Sequence, residues 1–344
     1  MLNKPYFELS KSKVLKQLKE LEPYCDQVSY SFKTNYEVGA ILEKESTCFF
    51  SVHSTESLFL LKDFTRIWFF AQAWDEKELQ ELFSREITHF VVDNETDLQT
   101  LLDYLEKEKE KKIDLLLRIR LKEHTVQTGK HFVFGMYSHQ VNRLLPKLAK
   151  NNQIKQLGIH FHRKTQNVSE WSLQEELSEI IYPDNWKNIN IVNIGGGLPV
   201  EYKNYRAEAM PYIFKKIADL KTFLTEKNIK MIIEPGRYIA APSVKLVTQI
   251  KSIYDHNIIV NGSVYNSAMD TFVAHIRLLI EGETDEGEAY TVKGSTPCST
   301  DIFRYQVILK NPKVGDNLIF LNAGAYNFRS DFCCLPKLET KVIP

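Results

Sequence analysis

Long apolar runs and an imbalance of charge are both missing from this sequence. No apolar stretch approaches the roughly 20 residues that cross a bilayer, and the first residues contain no apolar signal core. The 44 basic and 44 acidic residues give a formal net charge of zero, which lends no support to a nucleic acid or a membrane surface as a partner. We therefore expect a soluble, cytoplasmic protein in which local groups recognise charged ligands.

Cysteine pairs with a metal-binding or redox spacing are missing as well. The five cysteines are Cys25, Cys48, Cys298, Cys333 and Cys334, and none forms a CxxC pair. This pattern predicts free thiols in a reducing compartment and argues against a disulfide framework or a structural zinc site. Glycine is scarce, with 14 residues in 344, so a cluster of glycines in this chain indicates a special backbone requirement.

What the sequence does contain is an alternation of short apolar runs with longer helical patterns. Eight runs rich in β-branched and aromatic residues lie at 28–32, 47–52, 66–71, 87–92, 113–120, 156–162, 189–194 and 230–234. Eight strands that alternate with helices over roughly 200 residues predict a (β/α)8 barrel, a fold of the α/β class. An open, doubly wound sheet is the structural alternative.

The pattern changes after Arg237. Further apolar runs at 244–254, 258–260, 273–280, 289–292 and 317–321 follow without comparable helices between them. This pattern predicts an all-β module. We therefore expect a barrel over residues 25–235 and a β domain over residues 236–344, which residues 1–24 join by contributing a strand.

Barrel enzymes carry their reactive groups at the C-terminal ends of the strands, and the first predicted strand leads into Lys33. Partial desolvation there would lower the pKa of the amine and allow it to form a Schiff base with a carbonyl compound. The sixth strand ends in His160 and His162, which strand alternation places on one face. Such a pair, with Glu234 or Asp93 as a further ligand, is also typical of zinc sites, so a metal centre is an alternative.

The last two predicted strands lead into groups that suit an anion. Gly195, Gly196 and Gly197 follow the seventh strand, and backbone without side chains lets N–H groups converge on a phosphate. The loops after strands seven and eight are the usual phosphate site of barrels. Glu234 and Arg237 end the eighth strand; the guanidinium could grip a phosphate, and the carboxylate could hold a protonated ring nitrogen.

Six segments, taken together and in this order, resemble the ornithine/diaminopimelate decarboxylase family of pyridoxal-phosphate enzymes, whose barrel is alanine-racemase-like. They are SFKTN at 31–35, HFHRKTQ at 160–166, NIGGGLP at 193–199, EPGRY at 234–238, PCSTD at 297–301 and NAGAY at 322–326. The resemblance extends over nearly the whole chain. It implies a pyridoxal 5′-phosphate cofactor, amino-acid decarboxylation, and a homodimer with shared active sites.

The resemblance also implies a role for each matching residue. Lys33 would form the Schiff base with the cofactor, His162 would stack on its pyridine ring, and Glu234 would pair with the ring nitrogen. Arg118 would lie near the phenolic oxygen of the cofactor. The groups around its phosphate would be Thr165, Gly195, Gly196, Gly197, Gly236, Arg237 and Tyr326. Cys298 of the partner subunit would protonate the carbon that has lost carbon dioxide.

The chain departs from the family's pattern where the substrate would bind. Ser299 follows Cys298 at a position where the family carries a carboxylate, and the interval from Cys298 to Asp301 is one residue short. Gly262 stands where the ornithine enzymes have an aspartate that grips the substrate. These departures concern the contacts to the far end of the substrate and leave the cofactor site intact.

Two sets of charges favour different substrates. The predicted substrate contacts are Cys298, Asp301, Asp270 and Tyr326. Acids at Asp270 and Asp301 favour a basic amino acid such as ornithine, lysine or arginine, and with it a place in polyamine biosynthesis. Arg163 and Lys164 favour instead a distal carboxylate, as in diaminopimelate or a carboxylated polyamine precursor. The basic amino acid is our preferred prediction.

Three other functions fit parts of the sequence. A racemase could use the same cofactor, but an acid at Glu234 keeps the pyridine nitrogen protonated and so favours decarboxylation. A non-catalytic regulatory homologue is suggested by the altered segment around Cys298. A metal hydrolase built on His160 and His162 is the remaining alternative.

Overall fold

The computed structural model describes residues 4–70, 72–121 and 134–344 of the chain. Its strands, in chain order, are β1 (Tyr6–Ser10), β2 (Gln27–Ser31), β3 (Phe49–Val52), β4 (Ile67–Phe70), β5 (His89–Val92), β6 (Ile113–Arg118), β7 (Ile154–His160), β8 (Ile191–Asn193), β9 (Lys230–Ile233), β10 (Val244–Tyr254), β11 (Asn257–Val260), β12 (Leu279–Ile280), β13 (Glu288–Lys293), β14 (Ile302–Leu309), β15 (Asn317–Leu321) and β16 (Glu339–Ile343).

The helices lie mainly in the first two thirds of the chain. They are α1 (Lys11–Leu21), α2 (Tyr36–Glu45), α3 (Glu76–Ser84), α4 (Glu95–Lys107), α5 (Ser138–Leu148), α6 (Leu173–Ile180), α7 (Met210–Glu226), α8 (Arg237–Ser243), α9 (Val264–Ser267) and α10 (Asp270–Val273). No helix in the described ranges combines the length and apolarity that a membrane crossing requires.

Strands β2 to β9 form a closed parallel barrel, which confirms the predicted (β/α)8 architecture. Closure is made where β2 pairs with β9, with Val28 opposite Ile233; the alternative of an open sheet is therefore wrong. The strands are short and apolar because helices and the barrel interior cover both of their faces. Strand β4, with the sequence IWFF, is buried at all four positions.

The connecting helices show the expected capping and periodicity. In α4, for example, the side chain of Asn94 accepts a hydrogen bond from the N–H of Asp97 and so begins the helix. Leu98, Leu101 and Leu105 then recur at helical spacing and are buried. The alternation of helical segment and buried strand around the chain places the ends of all eight strands at one mouth of the barrel.

The chain divides into two compact units. The barrel unit comprises residues 18–198 and 208–235, and the sheet unit comprises residues up to 17, 199–207 and 236–344. The segment 199–207 therefore belongs to the sheet unit, although it precedes the predicted boundary at residue 235. In the sheet unit, the strand order is β12-β15-β10-β11-β13-β14, and β1 pairs with β10 and β16.

Gly158 shows how tightly the barrel is packed. It lies in β7 opposite Ile191 of β8, and a Cβ atom placed on it would lie 2.0 Å from the carbonyl oxygen of Ile191. The backbone of a closed barrel has no room to retreat from that contact. Glycine is therefore required here by the close approach of two strands and not by a turn.

We expect Gly158→Ala to lower the free energy of unfolding by about 3 kcal/mol, because the added methyl overpacks two paired strands. Gly262→Ala is the matched control: its new Cβ would meet the methyl group of Thr248 at 3.3 Å and Cβ of Pro5 at 3.8 Å, with no backbone atom so close, and we expect less than about 1 kcal/mol. Urea unfolding followed by circular dichroism measures both. Equal stability of the two variants would contradict this account of the barrel.

Candidate active site

The turn that carries Lys33 is fixed by its neighbours. Strand β2 ends at Ser31 and a short 3-10 turn, Phe32–Thr34, follows. The side chain of Asn35 ends this turn and begins α2 by accepting hydrogen bonds from the N–H groups of Glu37 and Val38 at 3.0 and 3.1 Å. Phe32 is 1% exposed, so the turn is anchored in the core and Lys33 projects at the C-terminal end of the strand.

Lys33 lines a cavity of about 340 Å³ at the mouth of the barrel, together with Arg118, His162 and Glu234. Desolvation of the amine by burial lowers the pKa of Lys33, and the positive charge of Arg118 lowers it further, while the negative charge of Glu234 opposes the shift. A larger fraction of the amine is therefore deprotonated and nucleophilic than in a free lysine. The cavity has the size of a small-molecule or cofactor site.

The carboxylate of Glu234, just past β9, has hydrogen-bonding partners on both of its oxygens. Its Oε1 accepts from the hydroxyl of Ser51 at 2.8 Å and from Nδ2 of Asn193 at 2.7 Å. Its Oε2 lies 3.1 Å from Nε2 of His160. Ser51 in turn shares a 2.8 Å hydrogen bond with Ser29. Side chains from three strands, β3, β7 and β8, thus converge on one carboxylate that is only 5% exposed.

These partners keep Glu234 ionised. Burial alone would raise its pKa, but the combined effect of His160, Ser51 and Asn193 outweighs burial and lowers the pKa to about 2. Hydrogen bonds to the charged form stabilise that form. At neutral pH the cavity therefore contains a fixed negative charge, which suits a protonated ring nitrogen.

His162 is held as a neutral imidazole with a defined tautomer. Its Nδ1 accepts a hydrogen bond from the N–H of Gly196 at 3.0 Å, so the remaining proton is assigned to Nε2. Burial, then the charges of Arg118 and Lys33, lower its pKa well below the usual value. A neutral, oriented ring of this kind can stack against a flat aromatic ligand.

The glycine triplet is required by close packing around these groups. A Cβ on Gly195 would lie 2.3 Å from the carbonyl oxygen of Phe161, and one on Gly196 would lie 2.5 Å from that of Glu234. Gly195 and Gly197 also have positive φ angles, of +65° and +98°. The N–H of Gly195 donates to Oδ1 of Asn193 at 2.9 Å. The role of the triplet in phosphate binding stays a prediction.

The sequence did not predict the contributions of His53, Ser51 and Asn193 to this site. His53 lies just past β3, lines the cavity and stacks on Phe70 with ring centroids 4.5 Å apart. Burial, followed by the charge of Lys33, lowers the pKa of His53 to about 3. Neither it nor Ser51 belongs to a segment with a recognisable pattern. Asn193 was visible as the first residue of NIGGGLP, but its bond to Glu234 depends on the fold.

His160, considered above as a metal ligand, has another partner. Its Nε2 faces Glu234 while Nδ1 of His162 is occupied by the N–H of Gly196. In the described part of the chain, no three His, Cys, Asp or Glu side chains are arranged to hold a metal ion. The geometry therefore gives His160 a role in fixing Glu234.

The neighbouring basic residues Arg163 and Lys164 lie in different environments. Arg163 is 2% exposed and forms an ion pair with Glu176 of α6, whereas Lys164 lines the cavity. Because the buried Arg163 is already paired with Glu176, it does not support the prediction of a distal carboxylate. Thr165 lies in the exposed turn that follows, and its predicted contact to phosphate stays a prediction.

In the sheet unit, Arg237 is enclosed by a carboxylate and two phenol rings. Its guanidinium pairs with both oxygens of Asp270 and donates to the hydroxyl of Tyr202 at 2.9 Å. It also lies 5.3 Å from the centre of the Tyr326 ring. Burial is outweighed by Tyr202 and Asp270, which raise the pKa of Arg237. Asp270, predicted as a substrate contact, is instead bound to the predicted phosphate ligand.

Asp301 organises the loop that carries Cys298. One oxygen accepts from the hydroxyls of Ser263 and Thr296 at 2.9 and 2.6 Å, and the other from the N–H of Val264 at 2.9 Å. The residue is 1% exposed. A carboxylate so fully engaged cannot turn to a substrate without losing several buried hydrogen bonds. Its substrate role stays a prediction, and its contacts favour a structural one.

Fold and geometry together define the class: the barrel unit binds a cofactor at its mouth, between a nucleophilic lysine, a neutral histidine and an ionised buried glutamate. Comparison with known families agrees with this definition. Residues 13–241 match the model of pyridoxal-dependent decarboxylases, pyridoxal binding domain. This chain belongs to that family, and its cofactor is pyridoxal phosphate.

Individual relatives are distant. A diaminopimelate decarboxylase of Aquifex aeolicus is 27% identical over 74% of this chain and 64% of its own length. A probable ornithine decarboxylase of Dictyostelium discoideum is 25% identical over 96% of this chain and 77% of its own length. The chain thus spans less than two thirds of the first of these relatives.

The fold is shared with solved structures across nearly the whole chain. Diaminopimelate decarboxylase of Helicobacter pylori, in complex with L-lysine, superposes with a TM-score of 0.82 at 19% identity. The alignment covers 99% of this chain and 92% of that one. The likeness establishes the barrel with its appended sheet.

The ionised state of Glu234 has a measurable consequence for stability. Its pKa is about 2 in the folded protein, below its usual value of 4.5. It therefore stabilises the fold above pH 4.5, by about 3 kcal/mol, and this contribution is lost as the pH falls towards 2. We expect the free energy of unfolding, measured in urea, to fall less steeply below pH 5 in Glu234→Gln than in the wild type.

Glu226→Gln, at the exposed end of α7, serves as the matched control and should follow the wild-type profile. Identical slopes for Glu234→Gln and the wild type would show that the buried carboxylate is not held ionised by its neighbours.

Proposed function

We propose that this chain is a pyridoxal-phosphate-dependent amino-acid decarboxylase that acts on a basic amino acid. The observation that carries the proposal is the ionised, buried Glu234 in the same cavity as Lys33. Family membership supports the cofactor and the reaction class. The balanced charge and the absence of long apolar runs support a cytoplasmic protein, and a basic substrate would place the enzyme in amino-acid metabolism, within polyamine biosynthesis.

The residues of the barrel unit fit the cofactor. Lys33 would bind it covalently through its amine, His162 would stack on the pyridine ring, and Glu234 would face the ring nitrogen. Arg118 would lie near the phenolic oxygen. Gly195–197 and Thr165 of this unit would hold the phosphate, a role that the resemblance also assigns to Gly236, Arg237 and Tyr326 of the sheet unit. When bound, the cofactor supplies an electron sink for the charge that decarboxylation leaves on the substrate.

The chain's own groups would direct the reaction towards decarboxylation. Glu234 is ionised at neutral pH because its pKa is far below neutrality, and its negative charge would keep the ring nitrogen of a bound cofactor protonated, which would strengthen the electron sink. Lys33, with its lowered pKa, would act as a nucleophile when the substrate amine binds and when the product amine leaves, and it would assist proton transfer. An arginine at the Glu234 position would weaken the sink, so the observed acid argues against a racemase.

The relatives support a basic substrate. They include diaminopimelate, ornithine and lysine/ornithine decarboxylases, and the lysine/ornithine decarboxylase of Vibrio vulnificus was solved in complex with putrescine. In this chain, the burial of Arg163 against Glu176 removes one of the two charges that favoured a distal carboxylate. We therefore keep ornithine, lysine or arginine as the proposed substrates.

Lys33 should be the residue to which the cofactor is attached. With pyridoxal phosphate bound, we expect an absorbance band near the edge of the visible range that borohydride bleaches, and mass spectrometry should place the reduced adduct on the peptide containing Lys33. Carbon dioxide should be released from ornithine, lysine or arginine more readily than from diaminopimelate. Lys33→Ala should abolish the adduct and reduce carbon dioxide release by roughly 10³-fold or more.

Lys44→Ala, which removes a largely exposed lysine at the end of α2, is the matched control and should retain both properties. An adduct on Lys33 without carbon dioxide from any of the four amino acids would point instead to the non-catalytic homologue.

We further propose a homodimer in which Cys298 of the partner subunit completes each site as proton donor. Cys298→Ala should then bind cofactor normally but lose most decarboxylation. Mixing it with Lys33→Ala should restore activity, because half of the dimers would be mixed and each would contain one intact site, giving about a quarter of wild-type turnover. Mixed subunits without recovered activity would contradict a shared site.

A further inference from the structure

The thiol of Cys298 belongs to a closed ring of three hydrogen-bonding groups in the sheet unit. Its Sγ lies 3.2 Å from the hydroxyl of Tyr265 and 3.2 Å from the hydroxyl of Thr300. The two hydroxyls lie 2.5 Å from each other. Each group can donate one hydrogen bond and accept others, so the three protons of the ring can rearrange without any group losing its partners.

Tyr265 is held in this position on several sides. Its ring stacks on Phe332 with centroids 3.9 Å apart and lies 5.2 Å from Phe272. Its N–H donates to Ser263 at 3.2 Å, and its carbonyl oxygen accepts from the N–H of Ser330 at 2.8 Å. The position of its hydroxyl is therefore set by packing and backbone contacts that do not involve Cys298.

Both hydroxyls can turn towards the sulfur when the thiol loses its proton. The thiolate would then accept two O–H donors, a stronger arrangement than the neutral ring because one partner is charged. Hydrogen bonds from Thr300 and Tyr265 accordingly lower the pKa of Cys298, whereas the carboxylate of Asp301 opposes this shift. Cys298 is of intermediate exposure, and its partial desolvation also opposes the shift.

We propose that Tyr265 and Thr300 act as positioning residues that aim the Cys298 thiol and stabilise the thiolate left after it donates its proton. The inference rests on the proposed role of Cys298 as proton donor. In that step the S–H bond breaks, the proton forms a C–H bond at the substrate carbon that has lost carbon dioxide, and the electron pair stays on sulfur. The thiolate then regains a proton from solvent.

The test is the pH dependence of Cys298 alkylation by iodoacetamide in the cofactor-loaded protein, resolved by peptide mass spectrometry. Tyr265→Phe removes one hydroxyl and keeps the stacked ring. Thr300→Val removes the other hydroxyl and keeps the shape of the side chain. Each should move the alkylation midpoint of Cys298 to higher pH and slow its alkylation at neutral pH by about threefold to tenfold. The exposed Cys334 serves as an internal standard in every sample.

Tyr254→Phe, a half-exposed tyrosine of β10 in the same unit, is the matched control and should leave the Cys298 profile at its wild-type position. Tyr265→Phe should also lower kcat more than it raises KM. Unchanged midpoints in both Tyr265→Phe and Thr300→Val would overturn the inference. Shifted midpoints together with full decarboxylation by Cys298→Ala would show that the two hydroxyls lower the pKa of the thiol. The same result would contradict the role of Cys298 as proton donor.

Discussion

The ionisation of one buried carboxylate is the constraint on which the barrel unit depends. A buried charge is costly unless hydrogen bonds replace the water it has lost. Glu234 receives them from Ser51 of β3, His160 of β7 and Asn193 of β8. Only a closed barrel brings the ends of these strands around the end of β9, so the closure of the fold and the charge of the site have the same structural origin.

The same network couples electrostatics to close packing. Asn193 donates to Glu234 with its side-chain nitrogen and accepts from the N–H of Gly195 with its oxygen. The next glycine, Gly196, donates to His162 and approaches the backbone of Glu234 so closely that a Cβ would not fit. The imidazole orientation, the glycine conformation and the carboxylate position are therefore set together.

The sequence predicted the elements that carry local patterns. Eight apolar runs indicated the barrel strands, and Lys33, His162, Gly195–197 and Glu234 could be found because each follows such a run in a distinctive segment. Ser51 and His53 could not be found, because a serine or histidine at a strand end has no distinguishing neighbours. Ser51 matters because it donates to Glu234, which is far away in the sequence, and His53 because it lines the cavity. Only the folded structure shows these contacts.

For Asp270 and Asp301, the sequence predicted a substrate role that their contacts do not favour. Their charge and position near recognisable segments suggested substrate contacts, but charge alone does not reveal whether a carboxylate already has a partner. Asp270 is paired with Arg237 and Asp301 is enclosed by hydroxyl and N–H donors. The pairing of Arg237 also means that a phosphate bound there would meet a guanidinium whose charge is already partly balanced.

Because Asp270 and Asp301 already have partners, the acids of the barrel unit have to be considered for recognition of a cationic substrate group. On the described wall of its cavity, the carboxylates are Asp93 and Glu234. Because Glu234 is committed to its own network, a cationic substrate group that enters from this side would meet Asp93, whose Oδ1 accepts a hydrogen bond from Asn94 at 2.8 Å. A single acid with one neutral partner can still offset the desolvation of an ammonium group, whereas the fully engaged acids of the sheet unit would first have to break buried hydrogen bonds.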